Sequence, residues 1–436
     1  MRSQSISPAV DAPSDGAGSR IAVVLIALYA LLPPIGIYAA LGVAPLLAVT
    51  GVVAAVARPR RCWAVAKDLW GLVLALATVG LWGALSALWS ILPAHSAFEG
   101  VRLLTLSATG LATLAAIGAL NAAQRLLLVR VLALSAIVTV VVFAVDLALG
   151  EPMLRLLAGL GDSVIPRERF DRGTTVLVLA FWPTALALSR ARARLVLVGL
   201  TVATVAALVI VPSTTNRLAA VAAVGVGALA LWRPRFTAAA MAGGIALAAL
   251  ALPAVMPRAL PSNEAVVALH HEAPWLKHSA LHRLLIWRFT TERIADRPWL
   301  GWGMDAAREL PGGKSKLIES LSEPVIVPDS VALPLHPHNA LLQWRVELGL
   351  PGLLLCTALV IGILWRISRS ASRPTLAARL ACAAAGLTIA LLGYGVWQAW
   401  WLSSLWLASA LFMGEPPSRR DPDSERAGGT SAFPAN

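Results

Sequence analysis

The sequence predicts an all-α, polytopic membrane protein with about 12 transmembrane helices and one large, partly helical loop. Its 436 residues are 58% hydrophobic and only 14% charged, with mean hydropathy +0.74, whereas soluble domains are about 25% charged. Apolar runs recur at the length of about 20 residues that a bilayer requires. Arginines and lysines gather after every second run, the pattern that marks cytoplasmic loops. The net charge of +13 therefore reports topology and not nucleic-acid binding.

Residues 1–20, rich in Ser, Pro, Ala and Asp, lack the basic-then-apolar layout and cleavage site of a signal peptide and read as a cytoplasmic tail. Nine candidate spans fill 21–253, near 21–33, 35–57, 69–90, 98–119, 125–149, 173–190, 194–212, 216–232 and 236–253. Three more fill 339–413, near 340–366, 376–392 and 394–413. Basic clusters follow the even-numbered candidates: Arg58, Arg60, Arg61 and Lys67; Arg125 and Arg130; Arg190, Arg192 and Arg194; Arg233 and Arg235; Arg366, Arg369 and Arg373; Arg419 and Arg420. Both termini are thus expected in the cytoplasm. Residues 414–436 have the composition of a disordered tail.

Two longer connections, 150–172 and 254–338, fall on the opposite, non-cytoplasmic side. The second is nearly charge-balanced, with about nine acidic and nine basic residues, and holds six of the seven histidines. Loops this long are usually functional. Within it, 279–295 reads as an amphipathic helix closed by Pro298 and a turn at Gly301 and Gly303. Leu281, Leu285 and Phe289 give it an apolar side; Arg283, Arg288 and Arg293 give it a polar one.

Ionisable groups beside apolar spans cost several kcal/mol unless paired or wetted, so each is a candidate site. Arg217 stands at the non-cytoplasmic start of a span, behind the polar turn Pro212–Asn216. A helix N-terminus with a guanidinium suits anionic oxygens, although snorkelling to headgroups explains the position as well. His338 can accept a proton from a hydroxyl near neutral pH. Asn339 is placed to cap the helix that follows. That helix, 339–366, is longer than a bilayer needs, and Pro351 between Gly349 and Gly352 is expected to kink it. Its first stretch would then hold Arg345 and Glu347 near the outer interface. Cys62, Cys356 and Cys382 are too scattered for a metal site and read as packing residues. No D-x-D, Walker glycine loop or paired carboxylates stand out, so neither a metal nor another cofactor is expected.

The stretch H-P-H-N-x-x-L-x-x-x-x-E-x-G-x-x-G, from His336 to Gly352, resembles the signature of the O-antigen ligase and polymerase superfamily. So do R-x-x-x-W and R-P-W-L-G-W-G, here Arg283, Trp287 and Arg297–Gly303, and the arginine after a Ser/Thr-rich turn, here Arg217. The turn reads T-T-N-R where many relatives carry serine directly before the arginine. The resemblance implies a GT-C-like, metal-independent, inverting glycosyltransferase of the bacterial inner membrane. Its implied donor is an undecaprenyl-diphosphate-linked O-antigen, and its acceptor in the ligases is lipid A–core oligosaccharide. His338, Arg217 and Arg288 would be catalytic; Arg283, His336, Asn339, Trp287 and Glu347 would bind diphosphate or glycan. Arg283 and Arg288 both flank Trp287, and the pattern does not choose which meets phosphate. An O-antigen polymerase shares these features. A secondary transporter would instead place ionisable groups at mid-span, and here they concentrate towards one face.

Overall fold

The computed structural model describes residues 15–158, 167–273, 275–315, 331–370 and 372–413. The expectations for 1–14, for 414–436 and for the central part of the large loop, 316–330, lie outside the described residues. Among the described residues the regular structure is helical, with short 3₁₀ turns. In chain order the helices are α1 (Asp15–Ala30), α2 (Leu32–Tyr38), α3 (Val43–Ala57), α4 (Pro59–Asp68), α5 (Trp70–Leu85), α6 (Pro93–Gly118), α7 (Ala122–Ala148), α8 (Pro152–Ala158) and α9 (Asp171–Arg190). They continue as α10 (Arg194–Ile210), α11 (Thr214–Trp232), α12 (Pro234–Ala259), α13 (Asn263–Glu272), α14 (His278–Asp296), α15 (Ala340–Ser368), α16 (Arg373–Leu392) and α17 (Ala399–Ala410).

Nine helical segments among the described residues are long and apolar enough to cross a membrane. The first two differ from the sequence reading. Pro33 and Pro34 lie in the first turn of α2, where a missing N–H costs nothing, so α1 and α2 join into one span, Gly18–Tyr38. The candidates at 173–190, 194–212 and 394–413 are helices at the expected places that fall short of that measure. α9 carries Asp171, Arg172, Arg190 and several threonines, α10 has 17 residues, and α17 has 12. A polar α9 is tolerated because most of it is buried against α2, α10, α16 and α17. α1 starts at Asp15, inside the expected tail, and α12 runs to Ala259, inside the expected loop.

The core and the surface are both apolar, as in a protein solvated by hydrocarbon. Tyr29, Leu47, Ile117, Phe143, Leu179 and Leu188 are buried at the centre of the largest cluster. Val52, Leu81, Val141, Val205, Val221 and Leu250 stay exposed on the spans.

The basic exits meet at one end of the bundle. Arg58 donates to the Ala119 carbonyl, Arg190 to the Ser372 and Thr375 hydroxyls, and Arg366 to Asp68. These contacts join the exits of α3, α5's preceding turn, α6, α9 and α15. Everything described next lies at the other end.

Candidate active site

α14 spans His278–Asp296, within a residue of its expected bounds at either end, and turns Arg283 and Trp287 to the same side because they are four residues apart. The Trp287 indole donates to the Pro337 carbonyl at 2.9 Å, and His282 bonds the Val331 carbonyl at 3.1 Å. These contacts lay α14 along the chain that carries the histidines. Asn339 caps α15 as expected, its side chain accepting from Leu342 N at 3.1 Å.

His338 holds a left-handed backbone, φ +55°, which is uncommon for a non-glycine residue and collects at functional sites. Its ring packs edge-on to His336 with centroids 4.3 Å apart. His338 Nδ1 is hydrogen-bonded to the Gly393 carbonyl. A carbonyl only accepts, so Nδ1 carries the proton and the lone pair of the neutral ring is on Nε2. No described group bonds Nε2. Burial lowers the His338 pKa to about 4; the Gly393 bond opposes this, and Arg283 and His282 add to it. His336 Nδ1 accepts from His338 N at 3.3 Å, and burial, with His338, Arg308 and Arg283, lowers its pKa to about 3. Both rings are neutral at physiological pH. Gly395 packs on His336, where a Cβ would lie 2.9 Å from the ring, so only glycine fits without displacement.

Arg283 is the sequence-predicted arginine whose charge both histidines feel. Burial lowers its own pKa, and Asp171 opposes that. The other two are placed elsewhere. Arg288, five residues on, turns to Glu292 and the Pro261 carbonyl. Arg217 begins close by, since Thr215 donates to the Leu392 carbonyl next to Gly393. Its guanidinium turns away, donating to the carbonyls of Leu208 at 2.8 Å, Val209 at 3.2 Å and Val211 at 3.4 Å at the end of α10. Ser213 caps α11 through Asn216 N.

Glu347 is fully buried. It accepts from Asp305 N at 3.0 Å, Ala307 N at 3.4 Å, Gln343 Nε2 at 3.1 Å and the Trp397 indole. The kink in α15 lies at Gly349 (φ +68°, ψ −159°) and not at Pro351. A Cβ there would sit 1.9 Å from the Trp299 carbonyl. The break frees carbonyls that the R-P-W-L-G-W-G loop takes up: Trp302 N reaches Val346 O at 2.9 Å and Gly303 N reaches Glu347 O at 2.8 Å. Trp82 takes Leu348 O at 3.1 Å. A broken helix survives at membrane depth only where its backbone is satisfied in this way.

Several groups were not singled out in the sequence. Asn216 is buried and bridges Asp171 O at 2.7 Å and Thr174 Oγ1 at 2.6 Å, and accepts from Thr175 at 2.8 Å. Thr175 also meets the Tyr394 hydroxyl at 3.4 Å. Arg172 lies over the Trp400 ring, 5.8 Å from its centroid. The only sequence signal was Asp171-Arg172 at the mouth of an apolar run. His95, Glu99 and Asp305 bring possible metal-ligand atoms within 4.8 Å of one another. Arg102 pairs with Glu99 and Arg308 with Asp305, so a cation would have to displace two guanidiniums.

Residues 170–357 match the family model described as O-antigen ligase. Over that stretch the chain is similar to the O-antigen ligase family. The matched stretch runs from α9 to the middle of α15 and contains Arg217, α14 and the histidine motif. Proteins named "Putative polysaccharide ligase" are similar in part: 38% identity over 130 residues for one from Rickettsia conorii, and 37% over 130 residues for those from Rickettsia felis and Rickettsia prowazekii. Each aligned stretch covers 30% of this chain, and 30% of the R. conorii protein or 31% of the other two.

Proposed function

We propose that this protein is an O-antigen ligase of the bacterial inner membrane, acting at the periplasmic face in lipopolysaccharide biosynthesis. In this reading it transfers glycan from an undecaprenyl-diphosphate-linked O-antigen donor to lipid A–core oligosaccharide. The carrying observation is His338: a buried, neutral imidazole, proton pinned on Nδ1 and Nε2 unengaged, within electrostatic reach of Arg283. A hydroxyl of the acceptor sugar attacks the anomeric carbon while its proton passes to Nε2. The bond from that carbon to the diphosphate breaks, and the diphosphate leaves with the electron pair. Attack opposite the leaving group inverts the anomeric centre. Arginine is suited to the departing charge through its planar donor fork. Arg283 makes first contact in this scheme; Arg217 and Arg288 serve after leaving their present partners. His336, Trp287 and Asn339 hold the approach of His338, and Glu347 holds the loop behind it. The scheme uses no metal and no cofactor, as in a GT-C-like enzyme, with membrane lipid as the surrounding solvent.

The purified protein, offered lipid-linked donor with either lipid A–core or further lipid-linked repeat units, should transfer to lipid A–core. Elongation of the lipid-linked glycan alone would make it a polymerase.

A further inference from the structure

α12, α14 and α15 line a narrow apolar crevice whose walls include Leu252, Pro257, Thr291, Ile294, Leu341 and Leu353. One cation faces it. Arg345 Nε and Nη1 are buried, and no described group accepts from either. Unsatisfied buried N–H groups are costly even on a half-buried arginine. The family motif does not account for it, because Arg345 is two residues from both Gln343 and Glu347. It therefore lies on the face of α15 opposite the one that holds Trp397 and the 302–307 loop.

Depth and surroundings select the partner. Arg345 is five residues into α15, about 8 Å along the axis, close to the outer headgroup level. The adjoining flank of α12 exposes Leu247, Leu250 and Val255 to hydrocarbon. A soluble anion has no reason to enter an apolar crevice, and a phosphate with a chain attached has two. We propose that Arg345 and this crevice form a phospholipid site, with the lipid phosphate on Nε and Nη1 and one acyl chain lying along the outer seam of α12 and α15. The site is separate from the histidines and independent of the transfer chemistry.

The test uses the full-length protein in detergent with phosphatidic acid bearing a diazirine in one acyl chain. Cross-links should map to α12 and α15, fall about tenfold in Arg345→Met, as the loss of one charge-assisted contact predicts, and persist in Arg283→Ala. Without lipid, Arg345→Met should melt above the wild type, because its orphaned donors are gone; this separates lost binding from misfolding. Cross-links unchanged by Arg345→Met would reduce the crevice to ordinary annular contact and overturn the proposal. Equal loss in Arg283→Ala would assign it to the donor, and displacement by millimolar inorganic phosphate would remove the acyl chain from the account; each also overturns it. Should Arg345→Met not fold, Leu252→Trp fills the crevice with the arginine intact and must give the same loss; retained cross-linking would refute the site.

Discussion

Replacing Glu347 by glutamine should destabilise the protein strongly, although the two side chains have nearly the same shape. Four donors converge on the carboxylate: Asp305 N, Ala307 N, Gln343 Nε2 and the Trp397 indole. The two carboxyl oxygens offer up to about four acceptor sites, enough for all of them. Glutamine keeps one oxygen and introduces two donors, so at least two of the four groups lose their partner in a fully buried site. Gln343 cannot compensate by flipping, because its Oε1 already accepts from Val396 N at 3.0 Å. Each orphaned buried donor costs about 1–3 kcal/mol, giving about 2–6 kcal/mol in total. At about 2 °C per kcal/mol for a large domain, the apparent melting temperature should fall by about 4–12 °C at a fixed scan rate. Transfer activity should fall further than folded protein does, because Trp397 and the 302–307 loop support the chain around Gly393 that holds His338. A glutamine variant melting within about 1 °C of the wild type would refute the claim that this carboxylate organises the site.

Gly349→Ala should cost more than about 3 kcal/mol, since its backbone region is essentially reserved for glycine and a Cβ has no room. Pro351→Ala should be tolerated; the reverse order in a thermal-shift assay would return the kink to proline. Acid should destabilise the fold through His336 and His338. Both pKa values are depressed in the folded state, so from the unfolded value near 6.5 down to about 4 the unfolded chain binds more protons. Stability is then complete above about pH 6.5 and declines below it, by up to about 1.4 kcal/mol per pH unit for each histidine. His336→Gln should flatten this slope in denaturation measured at several pH values; an unchanged slope would mean that the ring is already charged.

The fold was readable because bilayer length and loop charge are independent signals that agree. It was misread where length alone decided: the candidates near 21–33 and 35–57 divide instead after Tyr38, because Pro33 and Pro34 sit in a helix's first turn, and α17 is shorter than its apolar run. The α14 helix and the Asn339 cap were legible because local periodicity and capping chemistry set them. The direction of each arginine was not, since Arg217 bonds carbonyls six to nine residues earlier in the chain and Arg288 meets Glu292. Glu347 was recognised by motif, but its burial was not legible, because its four donors come from three separate segments. Asn216, Arg172 and Tyr394 went unnoticed for the same reason: the contacts that join α9, α11 and the 393–398 turn span up to 219 residues of sequence.

The central claim is that the neutral His338 ring takes the acceptor's proton. The decisive measurement is glycan transfer by purified His338→Ala against the wild type, with lipid-linked donor binding measured on the same samples. The account predicts transfer lower by about 10²–10⁴-fold, the usual share of general-base help, with donor affinity and melting temperature nearly unchanged. In the wild type, kcat/KM should fall only as pH approaches the depressed pKa of about 4, because protonated imidazole cannot accept. Full transfer by His338→Ala, with donor binding intact, would contradict the account.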